Sequence, residues 1–562
     1  MKKGFCALFL VALIFTGALG IDETLLFSED ELITVATKTP VQIKDAPAAV
    51  TVITRAQIEA MGYTTLSEIL QSVPGIYISI SERHMRRLAI RNLTSSYNDK
   101  ALLLINGVPY REVFYGHLFL DEYFPVDMIK QIEIVRGPSS ALYGTNAFSG
   151  VINIVTLSGS DLANGEENSQ VEGEKLKHNL TVKAGTHDFS EISIVAGGKY
   201  NADGELLVFG RKYDTMGSGP DYSRKHEFNA IAADPARAKT FMLQWKYKNI
   251  GINASYFEFQ HKYQANVDIP PEGNEYNWFE YRDTAIDFFY NFCLGERLKG
   301  EFKLSYQNYD DSSFWNVFDK YYEEPDFVDI IITYDVWPIK KSRVGFGQLH
   351  FNYDLMRDNI LSFGFEYSYE ELVDVRDIYI NRATGVVMAP DANPALGPYD
   401  FWADPQVKHN KVAYIQDQQK IGHFNFILGL RNDIHEVFGT TTSPRAAVVY
   451  SPGSRLKIKL MYGTAFRAPS FRELYTKVPS PEWIKGNEEL DPEKITTQEA
   501  EIVFTPNENI SYTVNVFESV VTDLVGRGGI IGVDEIYENM ENEVDIKGIE
   551  FSNRMKIKKF QS

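Results

Sequence analysis

Cysteine is nearly missing from this chain. Two of its 562 residues are cysteine, and because Cys6 lies in the apolar stretch at the N-terminus, Cys293 is left without an intramolecular partner. Long apolar runs are missing beyond that stretch, so no segment supplies the ~18 consecutive apolar residues of a membrane-crossing helix. A helical membrane protein is thereby excluded. Excess positive charge is missing too: the formal net charge is -20, and two units more negative once Lys2 and Lys3 are set aside, which argues against nucleic acid as a partner. The ten histidines are scattered, with no His-Glu metalloprotease pair, and neither a serine nucleophile elbow nor a phosphate-cradling loop occurs. Gly526-Arg527-Gly528-Gly529 resembles a dinucleotide loop only superficially. An enzyme, a bound metal and a cofactor are therefore not expected.

Apolar and aromatic side chains are abundant, at 44% and 13% of residues, enough to bury a large core. Lys2 and Lys3 precede an apolar run from Phe5 to Phe15, and Ala18-Leu19-Gly20 supplies small residues ahead of Ile21, the pattern of a secretory signal peptide over residues 1–20. An uncleaved anchor is the alternative. Residues 21–44 carry short apolar runs between acids and no helical period, so they are expected to be extended and mobile.

From Asp45 the elements become definite. Ala49 to Thr54 reads as a strand, Arg55 to Met61 as a helix stopped by Gly62, and Thr65 caps a second helix, Leu66 to Val73, that Pro74-Gly75 ends. Ile76, Ile78 and Ile80 alternate as a strand, Leu88 to Arg91 and Ala101 to Ile105 follow, and Asn106-Gly107 signals a turn. Ile132 and Ile134 alternate with Gln131 and Glu133, Gly137-Pro138 breaks the chain, and Val151, Ile152, Ile154 and Val155 resume the apolar run. Between them Gly137, Ser139, Ser140, Ala141, Gly144, Ala147, Ser149 and Gly150 let backbone pack against backbone where a leucine would not fit. Residues 45–158 thus read as one α+β domain.

Residues 159–177 are polar, rich in Gly and Glu, and read as a linker. Beyond them two-residue alternation dominates. Leu361, Phe363, Phe365, Tyr367 and Tyr369 alternate with Ser362, Gly364, Glu366 and Ser368, and Leu456, Ile458, Leu460 and Tyr462 alternate with polar neighbours. Each strand has one apolar and one wet face, as in a soluble sandwich or a barrel. The connections separate the two. Short turns at 201–204, 249–251, 420–422, 452–454 and 506–509 alternate with long aromatic loops near 214–238, 262–282, 310–341, 372–409, 467–494 and 523–543, the asymmetry of an antiparallel outer-membrane β-barrel over residues 178–562.

Several motifs resemble those of TonB-dependent outer-membrane receptors, of the siderophore and cobalamin type. In the first domain these are Val135-Arg136-Gly137-Pro138, Ala141-Leu142-Tyr143-Gly144 and Gly150-Val151-Ile152-Asn153-Ile154; in the second, Gly429-Leu430-Arg431-Asn432-Asp433, Ser443-Pro444-Arg445, and Tyr462-Gly463-Thr464-Ala465-Phe466-Arg467-Ala468-Pro469-Ser470. The resemblance implies a plug inside a barrel of about 22 strands, placement in a Gram-negative outer membrane in contact with its lipid, a monomer, and energy supplied by the periplasmic protein TonB and its inner-membrane partners. It implies a TonB box, a strand that pairs with TonB by edge addition; Glu31, Leu32, Ile33, Thr34, Val35 and Ala36 match best, with Glu23-Thr24-Leu25-Leu26 second. Asn92 stands where the family usually has glycine, and asparagine tolerates the left-handed backbone such a position needs.

The resemblance also implies that Arg91 and Arg136 of the plug face Glu499 and Glu550 of the barrel, two guanidinium forks against two carboxylates. Four ordinary lumen charges are the alternative. Ligand is expected on the plug's outward loops, 81–87 and 109–117, through Arg83, His84, Arg86, Arg87, Tyr110, Arg111, Phe114, Tyr115 and His117. Arginines beside aromatics suit an anionic ferric siderophore; a solvated basic loop is the alternative. Haem receptors of this family place a histidine in the stretch matching 470–495, which has none.

Alternating runs after the linker number roughly 16, against about 22 in the family. The 385 residues that follow Lys177 allow only about 18 for each of 22 strands with its connection. An unclosed sheet leaves backbone groups unpaired in lipid at several kcal/mol each, so a truncated product is expected, with a smaller barrel as the alternative. The functional expectation is import of a ferric siderophore, with cobalamin, another nutrient, or a non-transporting surface protein as alternatives.

Overall fold

A computed structural model describes residues 32–38, 41–80, 85–120, 122–163, 176–217, 235–263, 277–320, 331–381, 403–477, 484–507, 509–530 and 535–555. The leader, Glu23 to Leu26, Glu31, Arg83 and His84 lie outside these residues.

The chain opens with a two-stranded ribbon, β1 (Leu32–Ile33) against β2 (Val41–Gln42). The plug follows. Its elements are β3 (Ala49–Thr54), α1 (Arg55–Met61), α2 (Leu66–Gln71), β4 (Ile76–Ile80), β5 (Arg86–Ile90), β6 (Leu93–Thr94), β7 (Ala101–Ile105), β8 (Val108–Pro109), β9 (Ile129–Arg136), α3 (Ser140–Tyr143), β10 (Gly150–Thr156) and α4 (Gly159–Ala163). Local chemistry sets the helices. Thr54 and Gln57 form a capping box at α1, Thr65 and Glu68 another at α2, and Gly62 stops α1 in the left-handed region at φ 68. A five-stranded sheet in the order β3-β9-β10-β7-β8 forms the plug's centre, with β10 antiparallel to β9 and parallel to β7. One face packs Ile132, Ile134, Ile152, Ile154 and Leu103 against α2; Val52, Leu102, Leu104, Val135 and Val151 on the other are covered by Ile33, Val35, Ala36, Ala46 and Ala48. This is why Ala101 to Ile105 is a continuous apolar run: both of its faces are buried.

Sixteen strands then form one meander around the plug. They are β11 (Leu176–Ala184), β12 (Ser190–Lys199), β13 (Gly204–Thr215), β14 (Ala236–Tyr247), β15 (Ile250–Tyr263), β16 (Asn277–Leu294), β17 (Leu298–Lys320), β18 (Ile331–Met356), β19 (Asn359–Asn381), β20 (Gln406–Ile421), β21 (Phe424–His435), β22 (Gly439–Tyr450), β23 (Leu456–Arg467), β24 (Glu493–Asn507), β25 (Ile510–Thr522) and β28 (Val544–Met555); α5 (Phe471–Tyr475) follows β23, and a ribbon of β26 (Val525–Gly528) and β27 (Ile536–Asn539) sits between the last two. Among the described residues β11 and β28 each pair on one side only. The faces are inverted relative to a soluble sheet. Leu428 (62% exposed), Leu430 and Leu460 point outward, whereas Arg431, Asp433, Lys457 and Lys459 point inward and are buried by the plug. No helix among the described residues is long and apolar enough to cross a membrane.

Three expectations change. The stretches near 310–341 and 372–409 begin and end as strand, since β17, β18 and β19 run for 23, 26 and 23 residues. Hairpin arms satisfy their backbone groups by pairing with each other, so they can be strand without the apolar alternation that marks one in the sequence. The linker begins as α4, whose Ser158 caps Asp161 and whose Ser160 amide donates to Glu205 at 2.8 Å, and residues 176–177 already belong to β11. Residues 32–38 are folded onto the plug rather than extended, with Ile33, Val35 and Ala36 at most 1% exposed.

Candidate functional site

The four charges singled out in the sequence meet at one place. Arg91 donates through Nη2 to Glu499 Oε1 at 2.6 Å and through Nε to Glu550 Oε1 at 3.0 Å, while Arg136 Nη1 reaches Glu550 Oε2 at 2.9 Å and the carbonyl of Pro74 at 2.7 Å. The Arg91 guanidinium also lies 4.0 Å from the Phe517 ring. Backbone makes room for this: Arg91 and Asn92 sit at φ 52 and 65, and Gly75 at φ 80, where a Cβ would strike the Glu550 carboxylate. Burial lowers the Arg136 pKa and Glu550 offsets that only in part, whereas Glu499 and Glu550 together outweigh burial at Arg91 and raise it. Arg91 is thus the better compensated of the two cations.

The expected ligand residues divide. Tyr110 (4% exposed), Phe114 and His117 are buried between the plug and the wall, against Phe257 and Tyr309, Leu372, and Tyr281 respectively. Tyr110 Oη is 2.8 Å from Tyr123 Oη, and Tyr123 in turn donates to Asp283 of the wall. Burial pushes the His117 pKa down to about 3, so its ring is neutral. Arg111 is tied to Glu370 and Asn146, and its amide donates to Tyr309 Oη at 3.0 Å. Arg86 and Arg87 are half-buried members of β5 rather than loop residues, facing Ile80 and Ser79 across the strand pair. Of the aromatic residues of the second loop, Tyr115 is the one not fully buried. It stacks on Tyr97 with ring centroids 4.2 Å apart. Arg472 of α5 lies 5.4 Å from both rings and donates to Tyr97 Oη at 2.7 Å, and Lys340 Nζ lies 5.2 Å from the Tyr115 ring. Lys340 is balanced by Asp311 at 3.2 Å; among the described residues Arg472 has no carboxylate partner. This cluster sits at the end of the long hairpins.

Sequence reading missed Tyr97, Arg472 and Lys340, and it missed what the arginines of the barrel motifs do. Each reaches the plug or the segment beneath it. Arg467 donates to Glu493 (2.7 Å), Asp99 (2.8 Å) and Glu473 (2.9 and 3.0 Å). Arg431 pairs with Glu366 at 2.6 Å and Asp433 at 2.8 Å, and Glu366 also holds Lys38 at 2.6 Å. Arg445 donates to the carbonyls of Ala36 and Pro47 at 2.9 and 2.8 Å. The motifs were visible as a signal, but which plug residue each arginine meets was not. No group of His, Cys, Asp and Glu among the described residues has the arrangement of a metal site.

Comparison with known proteins places this geometry. The model described as TonB-dependent Receptor Plug Domain matches residues 42–151, and that described as TonB dependent receptor-like, beta-barrel matches residues 238–561. The chain is 24% identical over 512 residues to the Vitamin B12 transporter BtuB of Photobacterium profundum, covering 89% of this chain and 71% of that one. It is 21% identical over 512 residues to the Iron-regulated outer membrane virulence protein of Vibrio cholerae, covering 86% and 67%. Among solved structures, the siderophore receptor PirA from Acinetobacter baumannii aligns with a TM-score of 0.67 at 17% identity over 90% of this chain and 78% of that one. PirA from Pseudomonas aeruginosa aligns at 0.60 and 19%, covering 90% and 82%. Members of this family are transporters and receptors of the outer membrane rather than enzymes. The chain belongs to the TonB-dependent receptor family.

Proposed function

We propose that this protein imports a ferric siderophore across a Gram-negative outer membrane with energy supplied through TonB. The observation that carries the ligand class is the Tyr97–Tyr115 stack flanked by Arg472 and Lys340. A half-buried guanidinium with a phenol but, among the described residues, no carboxylate for a partner favours an anion, and stacked rings favour a flat, aromatic or chelate surface. Siderophore receptors among the structural neighbours support the same reading. Arg86 and Arg87 add positive charge on the same plug. Residues 31–36 serve as the TonB box; because Ile33, Val35 and Ala36 are buried, the segment must leave the plug before an edge strand can form on it. Cobalamin is the second reading, favoured by the vitamin B12 transporters among the relatives.

Equilibrium binding tests the choice. Purified protein in detergent is titrated with a panel of ferric siderophores and with cobalamin, following tyrosine and tryptophan fluorescence. Arg472→Ala is expected to weaken binding of an anionic chelate roughly tenfold to a hundredfold, the range of a charge-assisted contact. Tight cobalamin binding that Arg472→Ala leaves unchanged would favour the second reading and remove Arg472 from the site.

A further inference from the structure

Two buried polar side chains of the plug take no part in the wall contacts above. Glu133 (2% exposed) and Asn153 (3%) face each other across β9 and β10, on the sheet face that Ile33, Val35, Ala36, Ala46 and Ala48 cover. Their neighbours there, among them Val52, Leu104, Val135 and Val151, are apolar. A carboxylate in such a place is costly unless its lone pairs are met. Among the described residues no cation pairs with Glu133; it accepts from Gln131 Nε2 at 2.8 Å, Asn153 Nδ2 at 3.2 Å and the backbone amide of Val35 at 3.2 Å. The docked N-terminal segment therefore supplies part of the solvation of a buried charge.

Asn153 passes the contact on. Its Oδ1 accepts from the Gly107 amide at 3.0 Å, at the tip of the β7–β8 turn, where Asn106 and Gly107 adopt φ 52 and 77. Asn106 Nδ2 donates to Thr156 Oγ1 at 2.9 Å, Asn106 Oδ1 accepts from the Thr156 amide at 3.0 Å, and Gln244 of the wall donates to the same hydroxyl at 2.5 Å. One run of hydrogen bonds thus joins the N-terminal segment, the central sheet, this turn and the wall.

The turn borders a cavity of about 270 Å³ between the plug and β13–β17, whose lining includes Glu205, Gln244, Asn253, Glu301 and Lys303. These residues lie beside the short turns, at the end opposite the Tyr97–Tyr115 stack. Further along the inner face of β17, Ser305 is buried and Gln307 Nε2 donates to the Pro109 carbonyl at 2.8 Å, so β8 closes the way upward. The space is just below the ~300–1,000 Å³ that holds drug-sized ligands, so passage needs the turn to move.

We infer that this cavity is the exit for the imported ligand, that the Asn106–Gly107 turn is its gate, and that Glu133 and Asn153 tie the gate to the N-terminal segment. The inference rests on the coupled-import reading. When residues 33–36 are withdrawn, Glu133 loses the Val35 amide and is opened to water. Water then competes at Asn153 for the Gly107 amide, and the turn is free to swing from the wall. Glu133 and Asn153 are positioning residues, touching the segment and the gate rather than the ligand.

The test uses the full chain in cells with and without TonB, in the presence of a bound ferric siderophore. Val35→Cys and Ser305→Cys report on segment and gate through labelling by a periplasmic maleimide, read by peptide mass at each position. With TonB, both labels are expected to rise roughly tenfold or more over TonB-deficient cells, the scale of one or two lost hydrogen bonds. Adding Asn153→Ala should leave the TonB-dependent rise at position 35 and abolish it at position 305, while Glu133→Ala should raise labelling at position 35 even without TonB. A TonB-dependent rise at 305 that survives Asn153→Ala overturns the relay while leaving coupled import standing. No TonB-dependent rise at either position in the otherwise native chain overturns both. Heat-modifiable migration of each variant shows that the barrel has folded.

Discussion

Arg467 is the side chain whose loss the plug should feel most. It is 2% exposed and meets three carboxylates, Asp99 on the plug and Glu473 and Glu493 on the wall, with Lys100 beside Glu493 at 2.6 Å as the other cation. Arg467→Gln leaves three buried acids facing one lysine, and breaking a buried pair from one side costs ~3–5 kcal/mol. Opening of the plug's outer end should therefore become about a hundredfold more frequent or greater. Native-state hydrogen exchange reads this at the Ser149 amide, which donates to the Lys100 carbonyl at 2.7 Å, and at Asn146, whose amide donates to Phe466. Charge, not shape, should govern the effect. Burial already raises the Asp99 pKa against the pull of Arg467. Without Arg467 it rises further, so the variant's deficit should shrink as pH falls and Asp99 takes a proton. Removing one acid as well, with Arg467→Gln and Glu493→Gln together, should recover part of the loss. Exchange in Arg467→Gln equal to the native protein at every pH would refute the assignment of Arg467 as the tie between plug and wall.

Other expectations follow from single sites. Arg136→Ala should abolish uptake while the protein still reaches the cell surface, checked by transport alongside surface labelling, because Glu550 loses one of its two plug partners, the guanidinium at 2.9 Å, and keeps only Arg91. Gly75→Ala should lower plug stability by ~1–3 kcal/mol, measured by denaturant unfolding, since a non-glycine residue at φ 80 is strained and its Cβ meets Glu550. Glu112 accepts from the amides of Phe114 and Tyr115, yet burial pushes its pKa up from 4.5 to about 7. Its native form holds a proton that the unfolded chain releases, so stability should fall as pH rises through that window, by ~3 kcal/mol at most. Thermal unfolding across pH 5 to 8 should flatten in Glu112→Gln.

What could be read from the residues alone was whatever is local or periodic. The helices of the plug announce themselves through Thr65 and Gly62, and the wall strands through the contrast between outward-facing leucines and plug-facing charges, which is why sixteen could be counted. The pairing of Arg91 with Glu550 spans 459 positions and leaves no local trace; it was accessible only through resemblance. The loop residues Tyr110 and Phe114 looked available to ligand because their partners, Tyr309, Phe257 and Leu372, come from strands far along the chain. Residues 32–38 looked mobile because their apolar side chains are too few to fold alone. They are ordered by a surface that the plug provides.

Coupled import is tested most directly by uptake. Cells lacking their own siderophore receptors and expressing this chain are supplied with radiolabelled ferric siderophore, with TonB present or deleted. Saturable accumulation that needs TonB and disappears in Arg136→Ala is the expected result. Accumulation that is the same with and without TonB would contradict energy-coupled transport through the plug.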